Sequence, residues 1–268
     1  MSDEDHVRGV VDAATAVDGV APLNEDALLA LAASGLTGAE LYTEPEGFAL
    51  VRDDHVDLVV APDARGQGMG TRLLDRVLDG RTSTLKAWSH GDHPAARAMA
   101  ASHGFEAVRT LLMLRRPAGP VPTADSDLVV RTFQPGDEDS LLAVNALAFA
   151  HHPEQGTLDL SGLRLRMSEP WFDPEGLFLA VDDTKLLGFH WTKVHPDGTG
   201  EVYVMAVAPS AAGRGIGRLL LAVGLEHLQP RDVILYVEAD NEPAVSLYGS
   251  LGFRPAGVDV QYVRRARP

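Results

Sequence analysis

Glycines crowd two short stretches of this 268-residue chain. Gly66, Gly68 and Gly70 stand in RGQGMG, and Gly213, Gly215 and Gly217 in AGRGIG. Each triplet follows an apolar run and a shared Ala-Pro, and each precedes a leucine pattern of helical period. A turn of this kind leaves main-chain N–H groups exposed at a helix N-terminus, where the macrodipole favours an anion and missing Cβ atoms let phosphate oxygens approach. It reads as a pyrophosphate cradle. No Lys-Ser/Thr follows the glycines as in a Walker loop, and no short βαβ unit with a ribose-binding acid follows either. One isolated Gly-x-Gly would as readily be a plain turn with capping glycines. Two copies, each followed by the same helix, favour a ligand.

The elements that position these turns also come in duplicate. LVVAPDARGQGMGTRLLDRVL at 58–78 matches MAVAPSAAGRGIGRLLLAVGL at 205–225, and HPAARAMAASHGF at 93–105 matches NEPAVSLYGSLGF at 241–253. The two offsets are nearly equal, so the chain is a tandem duplication. Between the copies, RRPAGPVPTADSD at 115–127 reads as a linker, with the boundary near 120. In the second copy LVVRTFQ, LFLAVDD, KLLGFHWTKVH, GEVYVMAVA, VILYVEA and a segment near 258–264 read as strands. GDEDSLLAVNALAFA, 216–228 and 243–250 read as helices. The first copy repeats this with less strand at its beginning. Each copy is expected to be an α+β unit on a mostly antiparallel sheet, with one parallel step through the helix after the glycines.

Composition excludes several classes. The 38 acidic and 23 basic residues give a formal charge of −15, the wrong sign for a nucleic-acid or anionic-membrane partner. No apolar run approaches a membrane span, and the start MSDEDHVRG is acidic where a secretory signal would be basic, so a soluble cytoplasmic chain is expected. Cysteine is absent, which removes disulfides, thiolate metal sites and cysteine nucleophiles. His90/His93 and His151/His152 cluster without a recognised ligand spacing, so no metal is expected. With 20 arginines and only 3 lysines, Lys193 among aromatic and apolar neighbours stands out.

RGQGMG at 65–70 resembles the Arg/Gln-x-x-Gly-x-Gly/Ala acetyl-CoA signature of the GNAT acetyltransferase superfamily. NEPAVSLYGSLGF is similar to that superfamily's Asn-x-x-Ala-x-x-x-Tyr-x-x-x-Gly-Phe block. The second copy departs at Ala212, so Arg214 and Arg218 are expected to supply the cationic help. The resemblance covers nearly the whole chain. It implies an α+β fold of two tandem GNAT domains, each a mixed, mostly antiparallel sheet flanked by helices: an N-terminal domain at 1–118, a linker at 119–127 and a C-terminal domain at 128–268. TAVDGVAPLNE, AFAHHPEQG, EPWFDPEGLFLA, GFHWTKVHPDGTGEVYVM and LYVEADN, in this order, further resemble the mycothiol synthase family. That likeness implies acetyl transfer from acetyl-CoA to the cysteinyl amine of desacetylmycothiol, a cysteine–glucosamine–inositol conjugate. A tandem GNAT acting on an aminoglycoside or a peptide, or a non-catalytic acetyl-CoA sensor, stands as the alternative, and a monomer is expected because the duplication supplies the pairing of domains.

Acetyl transfer to an amine needs a base for the ammonium proton, a donor facing the developing oxyanion and an acid for the departing thiolate. Glu201, opening the strand into the second glycine turn, is the candidate base, acting directly or through water; a solvated strand carboxylate is its ordinary fate. Tyr248 is the candidate acid, against the commoner role of a packed core aromatic. Its counterpart in the first copy is Ala100, so the C-terminal copy is expected to be catalytic and the N-terminal one degenerate but still able to hold acetyl-CoA. Asp54 aligns with Glu201 and leaves a residual base in the first copy.

By the same resemblance Met205, Ala206 and Val207 meet the pantetheine arm, with Leu58, Val59 and Val60 as counterparts. The phosphates fall to Gly66, Gln67, Gly68, Met69, Gly70 and Thr71 in the first copy, and to Ala212, Gly213, Arg214, Gly215, Ile216, Gly217 and Arg218 in the second. Asn241, Glu242, Pro243, Ala244, Val245 and Ser246 complete the coenzyme side. Glu25, Glu154, Lys193, Glu201 and Tyr236 are implied to receive the acceptor, with Glu25 reaching from the first copy; read alone, Glu25 is an acid in a helix's first turn.

Overall fold

The computed structural model describes residues 2–123, 126–152, 155–183 and 185–266. They form two compact units, residues 1–111 with 257–268, and residues 112–256.

Unit 1 opens with α1 (Asp3–Asp18), started by a capping box in which the Ser2 hydroxyl accepts from the Asp5 N–H and the Asp5 carboxylate accepts from the Ser2 N–H. Its Val7, Val10, Val11 and Ala14 recur at helical spacing and are buried. α2 (Glu25–Ser34) follows, then the antiparallel meander β1 (Glu40–Glu44), β2 (Gly47–Arg52) and β3 (His55–Val60). α3 (Met69–Leu78) crosses over to β4 (Leu85–Ser89), parallel to β3, and α4 (Pro94–Ser102) leads into β5 (Glu106–Arg116). Alternation along β2 sorts the layers: Phe48 and Leu50 pack with α1 and α2, Ala49 and Val51 with α3 and α4.

Unit 2 repeats the plan from β6 (Val129–Thr132) through α5 (Glu138–Ala148) and α6 (Leu160–Met167) to the antiparallel β7 (Leu177–Asp182), β8 (Lys185–Val194) and β9 (Gly200–Val207). α7 (Ile216–His227) crosses to β10 (Val233–Glu238), parallel to β9; α8 (Glu242–Ser250) and β11 (Arg254–Arg264) end the described chain. Residues 186–192 of β8 are all buried, the mark of a strand covered on both faces. Leu141, Val144, Leu163 and Leu220 close one core, while Leu221, Leu225, Val237 and Phe253 close the other.

The sequence boundary at 118–128 differs from the division into compact units. The strand order in unit 1 is β1-β2-β3-β4-β11, where β11, from Gly257 onward part of unit 1, pairs antiparallel with β4 from Val260↔Ser89 to Arg264↔Leu85. In unit 2 the order is β6-β7-β8-β9-β10-β5, and β5 belongs to this unit from Leu112 onward. Composition marks where a chain has few apolar residues; it is silent on which strand pairs with which. The proline-rich stretch read as a linker is also anchored: the buried Arg116 guanidinium donates to the carbonyls of Leu251, Pro117, Gly119 and Pro120, and Asp232 accepts from the Ala118 N–H.

Candidate active site

Both glycine turns have the expected geometry. Gly213 and Gly215 each sit at φ 78°, a left-handed conformation that side chains resist, and Gly66 and Gly68 repeat it in unit 1. Gly215 and Gly68 are the N-caps of α7 and α3, and neither helix has a side chain bonded to its first N–H groups. α1, α2, α6 and α8 are side-chain capped. The third glycine serves packing instead: a Cβ at Gly217 would press within 3.3 Å of Leu247, and one at Gly70 within 3.4 Å of Met99. The signature arginine Arg65 is engaged by structure, bonded through both terminal nitrogens to Asp18 at 2.7 Å and through Nε to the Val60 carbonyl. Arg214 pairs with Asp182 on the surface, Arg218 donates to Ser250, and Asn241 caps α8, placing residues 242–246 in its first turns.

Upstream of each turn the parallel strands part almost at once. β9 and β10 share register only at Gly200↔Val233 and Glu201↔Ile234, and β3 and β4 only at His55↔Lys86. Beyond these pairs, β9 through Met205, Ala206 and Val207, and β3 through Leu58, Val59 and Val60, have no registered partner on that side. The opening offers main-chain N–H and C=O groups to an extended ligand.

The two units differ just inside this opening. β9 carries a β-bulge: Trp191 pairs with Val204 but Thr192 with Val202, which leaves Tyr203 as an extra residue. The β2–β3 ladder runs without interruption from Gly47↔Val60 to Arg52↔His55. The bulge shifts the correspondence between copies by one residue above it. His55, and not Asp54, therefore occupies the ladder position of Glu201, since His55 faces Lys86 as Glu201 faces Ile234. Asp54 is tied to His55 at 2.9 Å and Lys86 at 2.7 Å. Burial alone would raise its carboxyl, but the Lys86 hydrogen bond and the charges of His55 and Lys86 outweigh it and hold it below the ordinary carboxylate range, a poor base.

Glu201 is 7% exposed, and its Oε2 lies 2.7 Å from Nε2 of His195. Lys193 is its cross-strand partner, and the Lys193 ammonium stands 4.6 Å over the Trp171 ring and 5.0 Å over the Tyr203 ring. Trp171 and Trp191 both pack edge-on against Tyr203, whose hydroxyl accepts from Arg166 Nε at 3.0 Å. A carboxylate, an imidazole and an ammonium thus share one face of the β8–β9 hairpin beside an aromatic wall. Tyr236 on β10 is largely exposed. Glu25 is the first residue of α2 in unit 1, and Glu154 lies outside the described residues. Gln155, just beyond it, is held through paired hydrogen bonds with the buried Asn145.

Tyr248 is buried in the core with Leu221, Val237 and Phe253, its ring edge-on to Phe253. Burial pushes its phenol up to about 12, so it is protonated at neutral pH and able to donate. At the matching place in unit 1, Ala100 borders a cavity of about 90 Å³ between the parted strands, lined also by Leu58, Ala87, Trp88 and Tyr262. Among the described residues no group of three or more histidine, aspartate or glutamate side chains is arranged for a metal; His90 bonds Asp259 and His152 lies 3.9 Å from Glu238. His195, Trp171, Tyr203 and Arg166 were not singled out from sequence. Counting back across the HPDGT turn from Glu201 would have put Lys193 opposite it and His195 diagonal to it, two residues further along.

Comparison with known proteins places the chain in a family. Residues 147–253 match the acetyltransferase (GNAT) family model and residues 30–107 an acetyltransferase (GNAT) domain model. The chain is 47% identical to a mycothiol acetyltransferase of Nocardioides sp., covering 96% of each sequence, and 47% identical to that of Thermomonospora curvata, covering 96% of this chain and 92% of that one. Its fold is similar to a GCN5-related N-acetyltransferase from Sphaerobacter thermophilus, with TM-score 0.71, 23% identity and coverage of 99% and 93% of the two chains. It is equally similar to a tandem GNAT protein from the clavulanic acid biosynthesis pathway, with TM-score 0.71, 19% identity and coverage of 100% and 97%. Two GNAT halves and near-full-length identity to these relatives establish that the chain belongs to the mycothiol acetyltransferase family, a tandem-domain branch of the acetyl-CoA-dependent GNAT acetyltransferases.

Proposed function

We propose that unit 2 transfers acetyl from acetyl-CoA to the cysteinyl amine of desacetylmycothiol, with Glu201 as base and Tyr248 as acid. The observation that carries this reading is the nearly buried Glu201 carboxylate at the mouth of the β9–β10 opening, on the strand that runs into the uncapped α7 N-terminus. The main-chain N–H groups of Gly213 to Arg218 cradle the diphosphate, where macrodipole and absent Cβ atoms favour an anion. Unpaired main-chain groups of Met205 to Val207 align the pantetheine arm and its carbonyl. Glu201 accepts a proton from the acceptor ammonium and passes it to solvent, the freed amine adds to the thioester carbonyl, the C–S bond breaks as the Tyr248 phenol protonates the leaving thiolate, and the second proton shed by the new amide nitrogen restores the phenol. Lys193, Trp171, Tyr203 and Tyr236 form the acceptor side, and hydroxyl-rich rings suit such a mix of aromatic faces and charged donors.

Unit 1 keeps the turn and the parted strands, but its β2–β3 ladder has no bulge, its Asp54 is held by His55 and Lys86, and Ala100 stands where unit 2 has Tyr248, which supports a unit that holds acetyl-CoA without turning it over. A charge of −15 argues against polyanion partners, and among the described residues no helix is long and apolar enough to cross a membrane. A monomeric cytoplasmic enzyme fits these features. The deciding experiment offers acetyl-CoA with desacetylmycothiol, an aminoglycoside and a peptide in parallel, following thiol release and product mass. Acetylated desacetylmycothiol is expected. Acetylation of another acceptor alone would reject the assignment, and coenzyme binding without any product would leave a sensor.

A further inference from the structure

We infer that His195 is a positioning residue for the reaction, holding the Glu201 carboxylate in the one orientation from which it can take the acceptor's proton. This rests on the reading of Glu201 as base. His195 closes the β8–β9 hairpin, and its own place is firmly set. Its N–H donates to the Thr199 carbonyl, its carbonyl accepts from the Gly198 N–H, and the Asp197 carboxylate accepts from both the N–H and the hydroxyl of Thr199. The ring therefore projects from a braced turn onto the face that carries Lys193 and Glu201.

At 2.7 Å from the carboxylate that is to act as base, Nε2 serves as the N–H donor. Oε2 is thereby occupied, which leaves Oε1 to receive a proton. A glutamate has three side-chain torsions and several rotamers of similar energy. Tethering one oxygen removes most of that freedom before the acceptor arrives, the same division of labour as a catalytic base oriented by a third group. Lys193 stands over the Trp171 and Tyr203 rings, directly across the ladder from Glu201. The diagonal neighbour His195 thus supplies the directional bond on the turn side of the carboxylate.

The test compares His195→Ala, His195→Gln, Glu201→Gln and the double variant His195→Ala/Glu201→Gln, each checked for an unchanged thermal midpoint. His195→Ala should lower kcat about 10- to 100-fold, part of what positioned proton transfer contributes, and leave KM for acetyl-CoA within about twofold. Gln places an amide N–H where Nε2–H stands and should restore most of the rate, which a purely space-filling role would not predict. The double variant should be no slower than Glu201→Gln alone. Full kcat in His195→Ala while Glu201→Gln is inactive would overturn the inference and leave the base assignment standing. A fully active Glu201→Gln would remove the base assignment itself. Equal losses in the Ala and Gln variants would also overturn it.

Discussion

The two glycine turns of this protein are nearly superimposable in design, yet the ladders feeding them are not. In unit 1 the strand before the turn pairs without interruption, and in unit 2 one extra residue, Tyr203, breaks the count. That single residue re-aims everything above it. It sets Glu201 at the ladder position opposite Lys193, on the face that also carries His195, whereas in the unbulged unit 1 His55 takes that position and Asp54 is pinned by a lysine and a histidine. Below the turn the contrast repeats, with the Tyr248 phenol on α8 of one unit and, at the matching Ala100 of the other, a cavity bordered by Tyr262 from β11. The geometry of the glycine turns is common to both units because it resides in the backbone. The groups we propose for proton transfer depend on side chains and ladder register, and each can be lost by one substitution or one deletion.

The comparison is broken most directly by removing the unit-2 groups. Glu201→Gln should reduce kcat about 10³-fold and Tyr248→Phe about 10²-fold, within the range for positioned acid–base catalysis. Steady-state thiol release should report both losses while acetyl-CoA binding by calorimetry persists. A rate that survives either change would mean that unit 1, or other residues of unit 2, performs the chemistry.

A second contrast lies under α7. His190 is fully buried, donates through Nδ1 to the Leu220 carbonyl and fits only because Gly224 has no Cβ, which would collide with its ring. The counterparts in unit 1, by ladder position and offset, are Ala49 and Val77, so bulk has moved from the helix to the strand. Burial lowers His190 from 6.5 to about 4. The unfolded chain therefore binds a proton as pH falls through 6.5 while the folded chain does not, and stability declines from pH 6.5 toward 4 by about 3 kcal/mol, remaining level above. His190→Ala should flatten that acid slope in thermal melts and cost about 2–4 kcal/mol through its cavity. Adding Gly224→Val, which restores the unit-1 pair, should recover part of the loss. An unchanged slope in His190→Ala would assign the acid sensitivity elsewhere.

The smallest effect sharpens the comparison. Ala100→Tyr places a phenol on α4 where unit 2 has Tyr248 and, in a Glu201→Gln background, should add no measurable turnover, because the uninterrupted β2–β3 ladder still lacks the bulge and holds Asp54 in ion pairs. Turnover regained by this one substitution would show that the phenol alone separates the units.

Much of this was legible in residues. Repeated glycines at φ > 0, apolar runs of strand length and leucines at helical spacing are local properties, so the duplication, the fold class and the conformation of both glycine turns followed from the sequence, as did the places of Glu201 and Tyr248 along the chain. What folding alone decided is non-local. A bulge is a mismatch between two strands and is invisible in either one, which is why Asp54 aligned with Glu201 although His55 stands at its ladder position. The return of residues 257–268 to unit 1 depends on β-pairing across more than half the chain, where composition carries no register. The contacts of His195 with Glu201 and of His190 with Leu220 likewise require side chains set by two elements at once. Period and propensity act over a few neighbours, whereas register and burial are settled only when the whole sheet closes.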